Sequence, residues 1–323
     1  MGVILLAVRP VDVPVVLEEA AKTWFGLRVE WVGWDGSVWN LTDPARGTFV
    51  TPGGVEGFGP PEYTEWVQDS PAVAGQFFRG VQAKPRQLFF PMAIYSDAGS
   101  QAWFELQSAF FKTIKPDRYG TVRVTTPGGQ TRTIQGRSNA KSTSFNLDPF
   151  RTGYQGYGLS LMADQPFWVG DVVSATFKSG ASTDFFNGAS KAPNFVISEG
   201  ATFASAKVTN PGDQDSWPVW TVVGGATTTV TLGVNGSNVT VPFAVAAGKA
   251  LQIDTDPRVQ TAVYGDWDSV NKKLTGTLDD RTDELGAVDF APVPPGEEVP
   301  LTVALSGTGT VEVTLTPLYE RAW

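Results

Sequence analysis

The chain has 323 residues, a net charge of −9, no cysteine and no histidine. Without thiolate or imidazole it has no disulfides, no Cys or His metal sites, and no Ser-His-Asp, Cys-His or HExxH chemistry; paired carboxylates, Ser-Lys chemistry and carboxylate-bound magnesium or calcium survive. Glycine (35) and proline (23) provide for many turns, and 11 tryptophans with 20 phenylalanines against three methionines point to rigid aromatic packing.

At roughly 150 residues per domain, this length suggests two domains, each large enough for its own core. Charge is spread unevenly along the chain. Residues 1–78 carry 4 basic and 10 acidic side chains, residues 79–151 carry 11 and 4, and residues 152–323 carry 9 and 19. The acidic first segment is the nearest partner for the basic middle, and an acidic whole without an aromatic-basic motif argues against nucleic-acid reading.

In chain order, Met1 to Val8 is apolar but lacks a basic leader and meets Arg9-Pro10 at once. It is far short of the roughly 20 residues of a bilayer span, so it reads as a strand and supports neither export nor membrane insertion. The absence of a leader and of cysteine suits assembly in a reducing cytoplasm. Leu27–Trp31 and Ser37–Leu41 flank Asp35-Gly36 and predict a hairpin ringed by Trp31, Trp34 and Trp39. Thr51 to Pro61 is too rich in glycine and proline for regular structure and predicts an extended arm, ordered only on assembly.

Trp103, Leu106, Phe110 and Ile114 recur at helical spacing, with Ser100 as N-cap and Pro116 as stop, which predicts one helix. Phe104 and Phe111 widen its apolar stripe, either as core or as contact with another subunit. Thr121–Thr126 and Thr131–Gln135 around Pro127-Gly-Gly predict a second hairpin. A boundary falls near residues 160–170. Beyond it there is no helical period, and short runs such as Trp217–Val223, Thr228–Leu232, Ser237–Val241, Ala250–Asp254, Leu301–Leu305 and Thr310–Leu315 predict an antiparallel β-sandwich. The fold class is mainly β: a β-rich first domain with one helix, split-barrel or sandwich-like, over 1–165, and a sandwich over 166–323.

Chemistry is sparse. Asp254, Asp256, Asp266, Asp268, Asp279, Asp280, Asp283 and Glu284 form the one acidic constellation, read as solvated loop carboxylates, with calcium binding or hydrolysis at Asp266 and Asp268 as the alternatives. No nucleotide-binding motif is present. Trp217, Trp220 and Trp267 offer either sandwich core or stacking platforms for sugars. No cofactor is expected.

Trp34-Asp-Gly-Ser-Val-Trp-Asn-Leu, Gly57-Phe-Gly-Pro-Pro, Gly75-Gln-Phe-Phe-Arg-Gly and Lys84-Pro-Arg before an apolar strand resemble the start of the distal tail proteins of long-tailed phages. So does Lys115-Pro-Asp-Arg-Tyr-Gly followed by Thr121-Val-Arg-Val-Thr-Thr-Pro-Gly-Gly-Gln. Asn210-Pro-Gly-Asp, Trp217-Pro-Val-Trp, Ala247-Gly-Lys-Ala-Leu-Gln-Ile-Asp and Pro294-Pro-Gly resemble that family's C-terminal domain, especially in the minor tail proteins of actinobacterial phages.

The resemblance implies a non-enzymatic hub. An N-terminal domain forms a homo-oligomeric ring, usually a hexamer, between tail tube and tip, and a galectin-like sandwich hangs outside it. The implied partners are the tail tube protein, the tip protein and the tape measure protein, and the implied location is the tail tip of the virion. The alternative is a carbohydrate-binding sandwich for host adhesion. Ring-interface candidates are Arg79, Arg86, Arg123, Arg132, Phe104 and Phe111; charge pairing across the ring competes with pairing inside one subunit.

Overall fold

The computed structural model describes residues 26–72, 74–139, 148–178 and 206–323. The strand expected over Met1 to Val8 lies outside the described residues. In the first part the strands are β1 (Arg28–Val32), β2 (Val38–Asn40), β3 (Thr48–Val50), β4 (Tyr63–Asp69), β5 (Gln76–Ala83) and β6 (Arg86–Tyr95). Helix α1 (Ser100–Lys112) follows, then β7 (Gly120–Thr125), β8 (Thr131–Ser138), a one-turn helix α2 (Pro149–Thr152), β9 (Tyr154–Ala163) and β10 (Trp168–Val169).

Seven of these strands form a sheet in the order β2-β1-β7-β8-β9-β6-β3. It curls until its ends approach: the N–H of Val50, in β3, donates to the carbonyl of Leu41, just past β2, at 2.8 Å. The result is a nearly closed barrel. Alternation fills it, since Val122 and Val124 of β7, Leu88, Phe90, Met92 and Ile94 of β6, and Leu159 and Leu161 of β9 all point inward and are buried. Helix α1 adds Trp103 and Phe110 to the same core, and the indole of Trp103 donates to the carbonyl of Ile94. Ser100 is not its N-cap. Gly99 holds that position, and the Ser100 hydroxyl donates instead to the carbonyl of Phe150.

Packing inside the barrel is close around Trp31. Its indole donates to Thr113 Oγ1 at 2.9 Å, and its ring lies against Gly120, where an added Cβ would sit 2.3 Å from two ring carbons. Gly120→Ala is therefore expected to lose about 1–3 kcal/mol through overpacking. Gly136 pairs with it across β7–β8, but there a Cβ meets nothing nearer than 3.4 Å. Gly136→Ala should cost clearly less in the same denaturation series, and equal losses would refute this account.

The second part contains β11 (Val173–Lys178), β12 (Lys207–Thr209), β13 (Val219–Val223), β14 (Ala226–Val234), β15 (Ser237–Val241) and β16 (Lys249–Asp254). It continues with β17 (Thr261–Asp268), β18 (Lys273–Asp280), β19 (Glu298–Gly307), β20 (Thr310–Leu315) and β21 (Leu318–Tyr319). One sheet runs β11-β20-β13-β16-β17-β18 and the other β12-β19-β14-β15, all pairs antiparallel. Their inner faces share one apolar core that includes Trp220, Phe177, Val222, Leu232, Leu251 and Ile253. This is the sandwich expected from the strand runs. Strand β21 leaves it and pairs with β10, on the edge of the first sheet.

Candidate assembly surface

Arg86 begins β6 with its side chain turned inward. Its guanidinium donates to four carbonyls: Pro166 at 2.5 Å, Gly57 at 2.6 Å, Gly59, and Glu320 at 2.8 Å. One planar group thus ties together the glycine-rich loop, the connection after β9 and the segment after β21. Burial pushes its pKa down to about 10, so it stays protonated and donating at neutral pH. Beside it the Tyr63 hydroxyl donates to Glu320 Oε1 at 2.8 Å, and Gln214 donates to the same oxygen at 3.0 Å. Burial, then the bond to Glu320, raises the Tyr63 phenol to about 12. The neutral phenol is favoured in the folded chain, a contribution present below the ordinary pKa of 10 and lost as pH rises through about 12.

Phe58 completes this junction. It packs edge-on against Phe90, Trp168 and Trp323, and its carbonyl accepts from the N–H of Ala322. The 51–61 loop is therefore anchored within the chain, contrary to the expectation that it orders only on assembly. Trp323 docks on Phe58 while remaining about half exposed.

The ring-interface candidates scatter. Arg123 bonds Glu30 at 3.4 Å across β1–β7, and Glu30 is buried and also held by Arg28. Arg132 lies over the Tyr319 ring at 3.7 Å and donates to the carbonyl of Arg321. Phe111 is half-buried, edge-on to Phe110 and Tyr157. Arg86 belongs to the internal clasp. Of the six, Arg79, which donates to Gln68, and Phe104, which stacks on Phe150, are the most exposed, and Arg123 lies on the outer face of β7. The acidic first segment and the basic middle meet within one chain at Glu30–Arg123 and at Glu62–Lys84.

The acidic constellation is dispersed along strands and turns, not gathered in loops. Asp266 on β17 pairs with Lys249 at 2.6 Å, while Asp268 accepts from Asn271 and from the N–H of Val270. Asp279 and Glu284 both bind Arg281, Asp256 binds Arg258, and Asp280 accepts from Thr282. Among the described residues no group of three or more acidic side chains is arranged to hold a metal ion. Among them, too, no helix is long and apolar enough to cross a membrane. Trp220 is core, whereas Trp217 is half-buried on the wall of a groove of about 280 Å³ with Phe167, Asp215, Asp256 and Arg258.

Two surfaces do stand out. Strands β4 and β5 pair only with each other and form a ribbon separate from the barrel. It exposes Trp66 (49%), Val67 (41%), Phe77 (50%), Phe78 (64%) and Val81 (49%). Sequence reading passed over this hairpin although its signal was present: Tyr63–Gln68 and Gln76–Gln82, rich in β-formers, flank Pro71 and Gly75. A second surface gathers Tyr95, Phe104, Phe150 and Tyr154, each between 41% and 49% exposed.

No protein-family model matches the chain, and no curated protein matches its sequence. Solved structures do match. The chain is similar to the Dit protein of phage SPP1, described as a paradigm of the hub adsorption apparatus in phages infecting Gram-positive bacteria; the TM-score is 0.59 at 15% identity, over 90% of this chain and 98% of that one. It is also similar to a chain of the phage P2 baseplate in its activated conformation, with a TM-score of 0.52 at 10% identity over 91% and 98% of the two chains. The chain therefore has the fold of phage distal tail and baseplate proteins, the fold that the sequence resemblance implies.

Proposed function

We propose that this chain is a structural component of a phage tail-tip hub, with copies arranged in a ring, six by the family resemblance, that joins tail tube to tip. The observation that carries this reading is the likeness of fold to a hub protein over nearly the whole length of both chains. On this reading its partners are further copies of itself, the tail tube protein, the tip protein and the tape measure protein. Its place is the tail of the virion, after assembly in the host cytoplasm. Its role is architectural rather than enzymatic. The first domain, 1–165, is the assembly domain, and the second, 166–323, carries a galectin-like sandwich, with β21 reaching back to the barrel.

The test is the mass of the purified chain in solution, followed by negative-stain imaging. A closed ring of six chain masses with a central hole is the expected result; a monomer at every concentration, with no incorporation into isolated tails, would remove the reading.

The Trp217 groove supports a second reading, saccharide binding, because an indole and a phenyl ring stand beside the Asp256–Arg258 pair. Saturable quenching of tryptophan fluorescence by cell-wall sugars, abolished by Trp217→Ala, is its expected signature.

A further inference from the structure

The β4–β5 ribbon is apolar on both faces. Val67 stands opposite Phe78 and Glu65 opposite Val81, so Val67, Phe78 and Val81 share one face. Trp66 lies on the other, opposite Gly80, with Phe77 two pairs further along. A ribbon of two strands is marginal alone in water, and large apolar side chains on both of its faces call for a partner that encloses it.

The register of β6 and β9 locates this ribbon against the second apolar surface. These strands pair continuously from Arg86 opposite Ala163 to Tyr95 opposite Tyr154. The ribbon springs from the Arg86 end, since β5 is separated from β6 only by Lys84 and Pro85. Tyr95, Tyr154 and their neighbours Phe104 and Phe150 occupy the other end. Nine steps of about 3.4 Å put the two ends about 30 Å apart. Both surfaces stay exposed within one chain, and they lie at opposite ends of the same strand pair. Such a placement suits a heterologous contact between copies, the kind that builds rings.

Among the described residues, Glu65 and Asp69 on the ribbon form no ion pair, and neither do Arg151, adjacent to Phe150, and Lys112, at the end of the Phe104 helix. Arg79 also stands on the ribbon, and Glu105 and Asp148 stand near the Phe104 and Phe150 rings, so charges of both signs are present at each end.

We propose that the β4–β5 ribbon of one copy docks on the Tyr95, Phe104, Phe150 and Tyr154 surface of a second copy, in a head-to-tail contact. The proposal rests on the hub reading for the repetition of copies and names the surfaces that copy-to-copy contact uses. Phe78, with Val67 and Val81 on the same face, would be its anchor.

The full chain has no cysteine, which makes cross-linking clean. Phe78→Cys and Phe104→Cys are prepared separately, mixed in equal amounts and treated with a short bis-maleimide. The expected result is a cross-linked dimer in the mixture, absent from either variant alone, and a ladder from the double variant. Dimer from Phe78→Cys alone, or no cross-link in the mixture, overturns the proposal; the second of these outcomes makes a different tail protein the occupant. As an independent readout, Phe78→Asp alters only an exposed position and should leave thermal unfolding unchanged while shifting the oligomer at least tenfold toward monomer. An unchanged mass distribution overturns the contact. The hub reading fails separately: a ring without the cross-link keeps the hub and removes this contact, whereas a cross-linked dimer that never closes keeps the contact and removes the ring.

Discussion

Arg86→Ala is expected to destabilise the chain by about 3–5 kcal/mol, measured as the shift in the denaturation midpoint at constant slope. The size follows from what the guanidinium holds. Four carbonyls, of Gly57, Gly59, Pro166 and Glu320, converge on it, and Arg86 is only 3% exposed. Hydrogen bonds from a charged donor contribute about 1.5–3 kcal/mol each, but the carbonyls of the loop regain some hydration when the side chain is lost, so the total stays below the sum. Arg86→Lys keeps the charge and loses the fork; a single ammonium cannot face four acceptors at these positions, so it should recover less than half of the loss. Arg79→Ala provides the contrast. Arg79 is exposed on the ribbon and bonds only Gln68, so its removal should fall within about 0.5 kcal/mol. A loss below about 1 kcal/mol in Arg86→Ala would show that the clasp is not what joins these segments.

Arg86 also shows where sequence reading stops. Local pattern located helix α1 from Trp103, Leu106 and Phe110, the hairpins at Asp35-Gly36 and Pro127-Gly-Gly, and most strands of the sandwich, because each rests on neighbours in sequence and a period of 3.6 or 2. Strands β17 and β18 were missed. Asp266, Asp268, Asp279 and Asp280 resemble loop chemistry, but an edge of an antiparallel sheet tolerates carboxylates on its wet face when cations such as Lys249 and Arg281 stand beside them. Charge counting grouped Arg86 with Arg123 and Arg132 as surface cations. Their actual partners, Glu320, Glu30 and Tyr319, lie 234, 93 and 187 positions away, and no local period encodes contacts of that separation. Of the assembly surface, Phe104 was visible as excess width on a helical stripe. The ribbon was harder to read, since the bulge at Arg79 breaks its alternation and brings Phe78 and Val81, three residues apart, onto one face.

Replacing Leu318–Trp323 by a glycine-serine stretch of equal length is expected to split one unfolding transition into two, with the barrel melting first. These six residues, β21 and the four that follow it, cross from the sandwich to the barrel. Tyr319 and Leu318 pair with Trp168 and Val169, Tyr319 carries the Arg132 guanidinium, Glu320 receives Arg86 and Tyr63, Ala322 bonds Phe58, and Trp323 packs on the Phe58 ring. The sandwich core loses none of its own members, since Trp220, Val222, Leu251 and Val313 pack without this segment. The barrel loses a buried alanine, a sheet edge and the fourth acceptor of Arg86, so about 3–5 kcal/mol should fall on it alone. Calorimetry reads the two transitions, and small-angle scattering should show a larger radius of gyration as the sandwich swings free. One unchanged transition would mean that the Gln165–Asp171 connection alone fixes the sandwich on the barrel. Two transitions would mean that these six residues set how the sandwich is held on the barrel; the same segment, through the bond of Tyr63 to Glu320, also holds the root of the ribbon.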